Sequence, residues 1–103
     1  MNSREREEFR KSDKWMRFRS KCRKRCSIDY ITKKPLTKTW NLHHLDLCFD
    51  RYSDLSDMKR FIPLNENTHV LLHKVYSYWK RDKGFLKRLE EVMLKMEEYS
   101  GEA

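Results

Sequence analysis

The chain has 103 residues, of which 38% are hydrophobic and 39% are charged. This length corresponds to one domain, and this composition predicts a small core beneath a heavily charged surface. The longest aliphatic run, Val70 to Leu72, is far shorter than the roughly 20 apolar residues of a membrane span or the roughly 7–15 of a signal peptide. The sequence therefore excludes a membrane-spanning protein and predicts a cytoplasmic one.

Positive charge is concentrated at the N-terminus. Twenty-four Lys and Arg residues exceed sixteen Asp and Glu residues, which gives a net charge of +8 with histidine neutral. Residues 1–26 contain eleven basic and four acidic residues, so a net +7 lies in this segment alone. Such clustering predicts a polyanionic partner that is bound by a basic helical arm, although a basic helix that only aids solubility has the same composition.

The basic arm contains a predicted amphipathic helix. Ser12 is a suitable N-cap, which places the helix at about residues 13–25. Trp15, Phe18 and Cys22 recur at spacings of four and three, so they predict one apolar stripe that packs on a core. The cations outside this stripe are predicted to bind nucleic acid: Arg17, Arg19, Lys21, Arg23 and Lys24.

The centre of the chain changes to a strand-like pattern. Residues 27–42 carry β-branched and aromatic side chains on both sides of Pro35, a pattern typical of a β-hairpin. Residues 46–63 lack sustained periodicity, so they predict a loop, with a short helical turn between Ser53 and Phe61.

Two further helices are predicted near the C-terminus. Apolar residues recur with helical period over residues 67–80, and a second amphipathic helix is predicted over residues 84–99. The second helix either packs on the domain or forms a homodimer, so both a monomer and a homodimer through this helix are expected possibilities. Its apolar positions are Phe85, Leu89, Val92, Met96 and Tyr99.

The cysteines predict neither a disulfide framework nor a structural zinc site. Cys22, Cys26 and Cys48 lie in a chain without a secretion signal, which predicts reduced thiols. The spacing of Cys22 and Cys26 would suit half of a zinc knuckle, but the chain has no second cysteine pair to complete a tetrahedral site.

All four histidines occur in two pairs. His43 and His44 are adjacent, and on a strand they would point to opposite faces unless the strand ends or twists there. His69 and His73 are four residues apart on a predicted helix, so their rings share a face and can hold one ion. Three imidazoles on a metal ion, together with one free imidazole as a base, are suited to hydrolysis of a phosphodiester.

The histidine pairs also carry a family resemblance. The stretch Asn41-Leu42-His43-His44-Leu45, followed by Leu64-Asn65-Glu66-Asn67-Thr68-His69-Val70-Leu71-Leu72-His73, resembles an HNH endonuclease of the ββα-metal, or His-Me finger, group. Residues 9–15 and Arg19 resemble the entry helix of small, often phage-encoded, HNH proteins. The resemblance covers about residues 9–80. It implies an α+β fold and a single nuclease domain over residues 1–103, with a ββα-metal core over residues 27–80.

The resemblance also implies roles for individual residues. His44 matches the general base, while His43 and His69 match metal ligands. His73 resembles the additional ligand of colicin-type nucleases, which gives one divalent ion three imidazole ligands. Such ligands suit Ni, Mn, Co or Zn, whereas Mg would need an oxygen ligand from Asp46 or Asp50.

The family's middle Asn has no direct counterpart. Ungapped counting back from His69 places Arg60 at this position. Either Asn65 or Asn67 takes over the role of that Asn, or the planar guanidinium of Arg60 clamps the scissile phosphate.

The function implied is a metal-dependent endonuclease that nicks DNA with low sequence specificity, in the host cytoplasm if the protein is phage-encoded. RNA stays open as a substrate, because phosphate contacts do not select between the two nucleic acids. Arg60 favours an alternative, a non-catalytic nucleic-acid-binding module with the same fold. A third possibility is an accessory protein whose helices bind other proteins.

Overall fold

The computed structural model describes residues 1–101, which form an α+β structure with four α-helices and a two-stranded antiparallel sheet. The predicted α+β class is therefore confirmed. Within residues 1–101, no helix has both the length and the apolar composition that a bilayer span requires. The elements in chain order are α1 (Ser3–Arg10), α2 (Asp13–Arg25), β1 (Trp40–His44), β2 (Phe61–Asn65), α3 (Glu66–Trp79) and α4 (Phe85–Ser100).

The chain divides into two compact units, one of residues 1–69 and one that begins at Val70, and the boundary falls inside α3. The first unit contains the sheet and every buried residue of the described chain. In the second unit, α4 has no buried residue, and Met96 and Tyr99 are 64% and 89% exposed. The two predicted C-terminal helices are confirmed to within one residue at each end. Homodimerisation through α4 stays a prediction.

Capping side chains fix where the first two helices begin. Asn2 and Glu5 form a reciprocal capping box at the start of α1, and the Ser12 hydroxyl accepts a hydrogen bond from the Trp15 N–H at the start of α2. The bounds predicted for α2 are confirmed. Trp15, Phe18 and Cys22 are buried, as their spacing predicted.

The two strands pair in a register that matches Trp40 with Asn65 and His44 with Phe61. Successive residues of a strand point to opposite faces of the sheet, and directly opposed residues of an antiparallel pair share a face. Trp40, Leu42 and Phe61 lie on the side that packs against α2 and complete the hydrophobic core. Burial of each such side chain contributes roughly 1.5–3 kcal/mol to the free energy of unfolding.

The hairpin predicted over residues 27–42 is wrong. Residues 28–35 form a tight turn that is closed by a single bridge between Ile28 and Pro35. The Asp29 N–H donates to the Lys34 carbonyl, and Lys33 has a positive φ of 63°, which reverses the chain direction. Local bonds of the turn therefore override the strand propensity of this segment.

The partner of β1 is instead β2, whose first three residues lie in the stretch predicted as a loop. Pro63 suggested a loop because it cannot donate a backbone hydrogen bond. Pro63 is tolerated because its backbone hydrogen-bonding groups point away from β1. On that outer side, its carbonyl accepts the Tyr30 N–H at 3.0 Å. The predicted short turn within Ser53 to Phe61 is present as the 3-10 helix Met58–Arg60.

Asp29 joins three separate segments through one carboxylate. It is 0% exposed, and its Oδ1 accepts the N–H groups of Ile31 and Thr32. Its Oδ2 accepts the Asn65 N–H at 2.9 Å, and it also bonds the Thr68 side chain at the start of α3. Burial by itself raises the pKa of Asp29, but these hydrogen bonds outweigh burial and lower the pKa to about 2.

Asp29→Asn should destabilise the protein, because an amide presents a donor where the carboxylate accepts. We expect a loss of about 1–3 kcal/mol in the free energy of unfolding at pH 7, measured by urea denaturation. The folded pKa of about 2 is below the ordinary 3.8, so the wild-type carboxylate stabilises fully above pH 3.8. This contribution disappears as the pH falls towards 2. Asp50→Asn, at an exposed carboxylate, is the control; equal stability of the two variants would contradict the role of Asp29.

Candidate metal centre

Three histidines converge at one place on α3. His69 and His73 lie one helical turn apart on this helix. The side chain of His43, in β1, points from its face of the sheet towards His69. The ring centroids of His43 and His69 are 5.2 Å apart. One possible ligand atom from each of the three histidines lies within 4.8 Å of the other two. The cluster of His43, His69 and His73 could therefore hold a metal ion, as the histidine pairs predicted.

The donor set of this cluster fits a transition metal. Three imidazoles leave a coordination position for water or a phosphate oxygen. Their nitrogen atoms suit Zn, Ni or Co better than Mg, which prefers oxygen.

The two acids considered as magnesium ligands are not in this cluster. Asp46 instead accepts two hydrogen bonds from Arg51, at 2.6 and 3.1 Å, and one from the Cys48 N–H. The bonds from Arg51 and Cys48 lower the pKa of Asp46 to about 2. Asp50 is exposed and lies 3.8 Å from the N-terminal amine. The cluster is therefore built from imidazole alone.

His44 lies outside the cluster, in an aromatic environment. β1 ends at His44, whose side chain is on the face opposite to His43. Its ring stacks on Trp15, with centroids 5.4 Å apart, and on Tyr52 at 4.2 Å, while the edge of Phe61 lies at 4.8 Å. These contacts fix the orientation of the ring without any charged partner in the stack.

The surroundings of His44 favour a neutral imidazole with a defined tautomer. Burial has the largest effect and lowers the pKa of His44 below its ordinary value. The hydrogen bond to the Tyr52 carbonyl raises this pKa, the positive charge of Arg10 lowers it, and the negative charge of Asp46 raises it. Nε2 lies 3.2 Å from the Tyr52 carbonyl oxygen. Because a carbonyl only accepts, Nε2 carries the hydrogen and Nδ1 holds the free electron pair. A neutral imidazole in this state can act as a general base.

The support for His44 comes partly from Tyr52, which sequence reasoning missed. Arg10 donates a hydrogen bond to the Tyr52 hydroxyl at 3.1 Å, and Phe9 meets the Tyr52 ring edge to face. Helix α1 thus helps to hold the loop that orients the histidine. A backbone carbonyl leaves no signature in the residue types, so no sequence signal could have identified this contact.

Arg60 is held by carboxylates. Its guanidinium lies 3.3 Å from Asp54 and 3.7 Å from Asp46, and its carbonyl accepts the Leu45 N–H at 2.8 Å. Arg60 therefore ties together the two ends of the loop after β1. Asn65, one of the suggested substitutes, accepts the Thr37 N–H and donates to the Pro35 carbonyl.

The predicted nucleic-acid-binding cations of α2 have different surroundings. Arg19 is half-buried: it donates to the Trp40 carbonyl at 2.7 Å, and its guanidinium lies 3.8 Å above the Trp40 ring. Burial, and then the neighbouring charge of Arg23, lower the pKa of Arg19. Arg19 therefore contributes to packing. The other four predicted cations are exposed: Arg17, Lys21, Arg23 and Lys24.

All three cysteines are free thiols. Cys22 is buried in the core, and this burial raises its pKa.

Comparison of the chain with protein-family profiles, curated proteins and solved structures found no match.

Isothermal titration with Ni²⁺ or Zn²⁺ should show one ion bound per chain. His69→Ala should weaken the affinity by more than about 100-fold, because loss of a direct ligand exceeds the 10- to 100-fold effect of an outer-shell residue. His44→Gln is the matched control and should retain the wild-type affinity. Equal weakening in the two variants, or none in His69→Ala, would show that the cluster is not the metal site.

Proposed function

We propose that this protein is a divalent-metal-dependent endonuclease that hydrolyses DNA phosphodiester bonds, making nicks with low sequence specificity. One observation carries the proposal: a three-imidazole cluster whose ligand His43 is followed directly by His44, a half-buried imidazole with a lowered pKa. Metal ligands next to a perturbed base are a combination suited to hydrolysis.

The reaction assigns a separate task to each group. A divalent ion held by His43, His69 and His73 would supply stabilisation of the negative charge on the departing 3′ oxygen. His44 accepts a proton on Nδ1 from the water that attacks phosphorus, while the Tyr52 carbonyl holds Nε2–H and fixes the ring. The water oxygen forms a bond to phosphorus as the bond to the 3′ oxygen breaks. One cluster and one base cut one strand in each event.

Substrate binding in this proposal relies on the exposed cations of α2. These side chains contact phosphates, which hold a strand in position but do not distinguish one base from another. Low specificity and strong dependence on salt follow from this mode of binding.

Nicking of supercoiled plasmid at low salt tests the proposal. Wild type should nick with at least one of Ni²⁺, Mn²⁺, Co²⁺, Zn²⁺ or Mg²⁺ and not in EDTA. His44→Gln should reduce the rate by about 10²–10⁴-fold, the usual contribution of a general base. Metal affinity of this variant should match wild type, and circular dichroism should show that it is folded at the assay temperature, although loss of the stacked ring lowers its melting temperature. Equal nicking by both proteins, or none by wild type in any metal, would contradict the proposal.

The role of α2 predicts a change in the salt dependence of DNA binding. In EDTA, Arg17→Gln and Lys21→Gln should each lower the slope of log K against log salt by about 0.9, the value for one phosphate contact with duplex DNA. Lys87→Gln, at an exposed lysine of α4, should leave the slope unchanged. Unchanged slopes in both α2 variants would remove this helix from the binding surface. A parallel titration with RNA determines which nucleic acid is preferred.

A second candidate is a nucleic-acid-binding module without catalysis. Two observations favour it: the Arg60 guanidinium is already bound by Asp54 and Asp46, and the His44 ring is stacked on aromatic neighbours. Salt-dependent DNA binding by wild type, combined with no nicking in any metal, would identify the protein as this module.

A further inference from the structure

An open groove of about 320 Å³ lies in the first unit, beside the second strand. Much of its apolar lining comes from Tyr30 of the turn, Leu45 and Met58 of the long loop, and Ile62 and Pro63 of β2. Tyr30 and Leu45 are 54% and 52% exposed, so this apolar surface faces solvent. None of these residues takes part in the proposed hydrolysis.

Two cations complete the groove. Arg25, the last residue of α2, and Lys59 both line it, and none of its lining residues is acidic. Lys33 also places its Nζ 4.4 Å from the centroid of the Tyr30 ring. An apolar slot with an aromatic wall and two cations is complementary to a nucleotide, which combines a flat base with an anionic phosphate.

The groove also continues the cationic surface of α2. Arg17, Lys21 and Arg25 are spaced by four residues, so they form a row along one side of the helix with steps of about 6 Å. A strand whose phosphates follow this row reaches the groove at Arg25. An uncharged peptide would gain nothing from that row.

We propose that this groove binds one unpaired nucleotide of the nucleic-acid strand, with its base against Tyr30 and its phosphate between Arg25 and Lys59. The inference rests on the nucleic-acid substrate of the proposed function and specifies it further: the preferred strand offers an unstacked base. Stacking on an aromatic side chain is tolerant of base identity, which agrees with low sequence specificity.

Binding in EDTA tests the groove apart from catalysis. Fluorescence anisotropy compares a short single-stranded oligonucleotide with an abasic strand of the same length, which keeps the phosphates but lacks the bases. Wild type should bind the base-bearing strand about tenfold more tightly. Tyr30→Ala should abolish this preference, Lys59→Gln should weaken binding of both strands, and Tyr99→Ala, at an exposed tyrosine outside the groove, should behave as wild type.

Cys26 provides a second readout, because it lines the groove and is only half-buried. Saturation with the base-bearing oligonucleotide should slow alkylation of Cys26 at least about fivefold, while Cys48, which does not line the groove, serves as the internal reference. Mass spectrometry of the peptides measures both rates in one sample. This readout requires no substitution, so a folding defect in a variant cannot mimic it.

Different results would overturn the groove, the nuclease or both. Equal affinity of wild type for the two strands, with unchanged Cys26 alkylation, removes the groove but leaves phosphate binding and the proposed function intact. Protection of Cys26 by polyglutamate and not by the oligonucleotide replaces the nucleotide with an acidic peptide. Absence of binding to either strand refutes both the groove and the nuclease. Base-dependent binding without nicking in any metal supports the groove and refutes the nuclease alone.

Discussion

The antiparallel pairing of β1 with β2 is the constraint on which the rest of the structure depends. Its register matches His43 with Ile62 and His44 with Phe61. Because side chains alternate along a strand, the two neighbouring histidines enter different surroundings, one beside His69 and one among aromatic rings. A slip of one residue would exchange their faces. The separation of the imidazole in the three-histidine cluster from the imidazole among the aromatic rings therefore follows from the register.

A sheet of two short strands is only marginally stable alone, so contacts outside it must hold the register. The buried Asp29 carboxylate joins the turn before β1 to the end of β2 and the start of α3. On the other side, Arg51 and Arg60 bind Asp46, which closes the loop between the strands. These polar contacts thus hold the two strands in the register that places His43 beside His69 and His44 in the aromatic part of the core.

The sequence predicted α2, α3, α4 and the closeness of His69 to His73 well, because these depend on local spacing, whereas the approach of His43 depends on the pairing of β1 with β2. The His69–His73 interval places two rings on one helix face, and Ser12 marks the start of α2. It did not predict the strand pairing, because β1 pairs with a distant segment that contains Pro63, while the nearer residues 28–35 form a turn. Nor could it identify the contact that orients His44, since the acceptor is the backbone carbonyl of Tyr52.

The measurement that tests this account most directly is a long-range ¹H–¹⁵N spectrum of the imidazoles, recorded during titration with Zn²⁺. We expect the ring nitrogens of His43, His69 and His73 to shift together as one ion binds per chain. His44 should retain the spectrum of a neutral ring protonated at Nε2 throughout. Zinc coordination by His44, or the absence of coordinated shifts in the other three rings, would contradict the division between metal ligands and base.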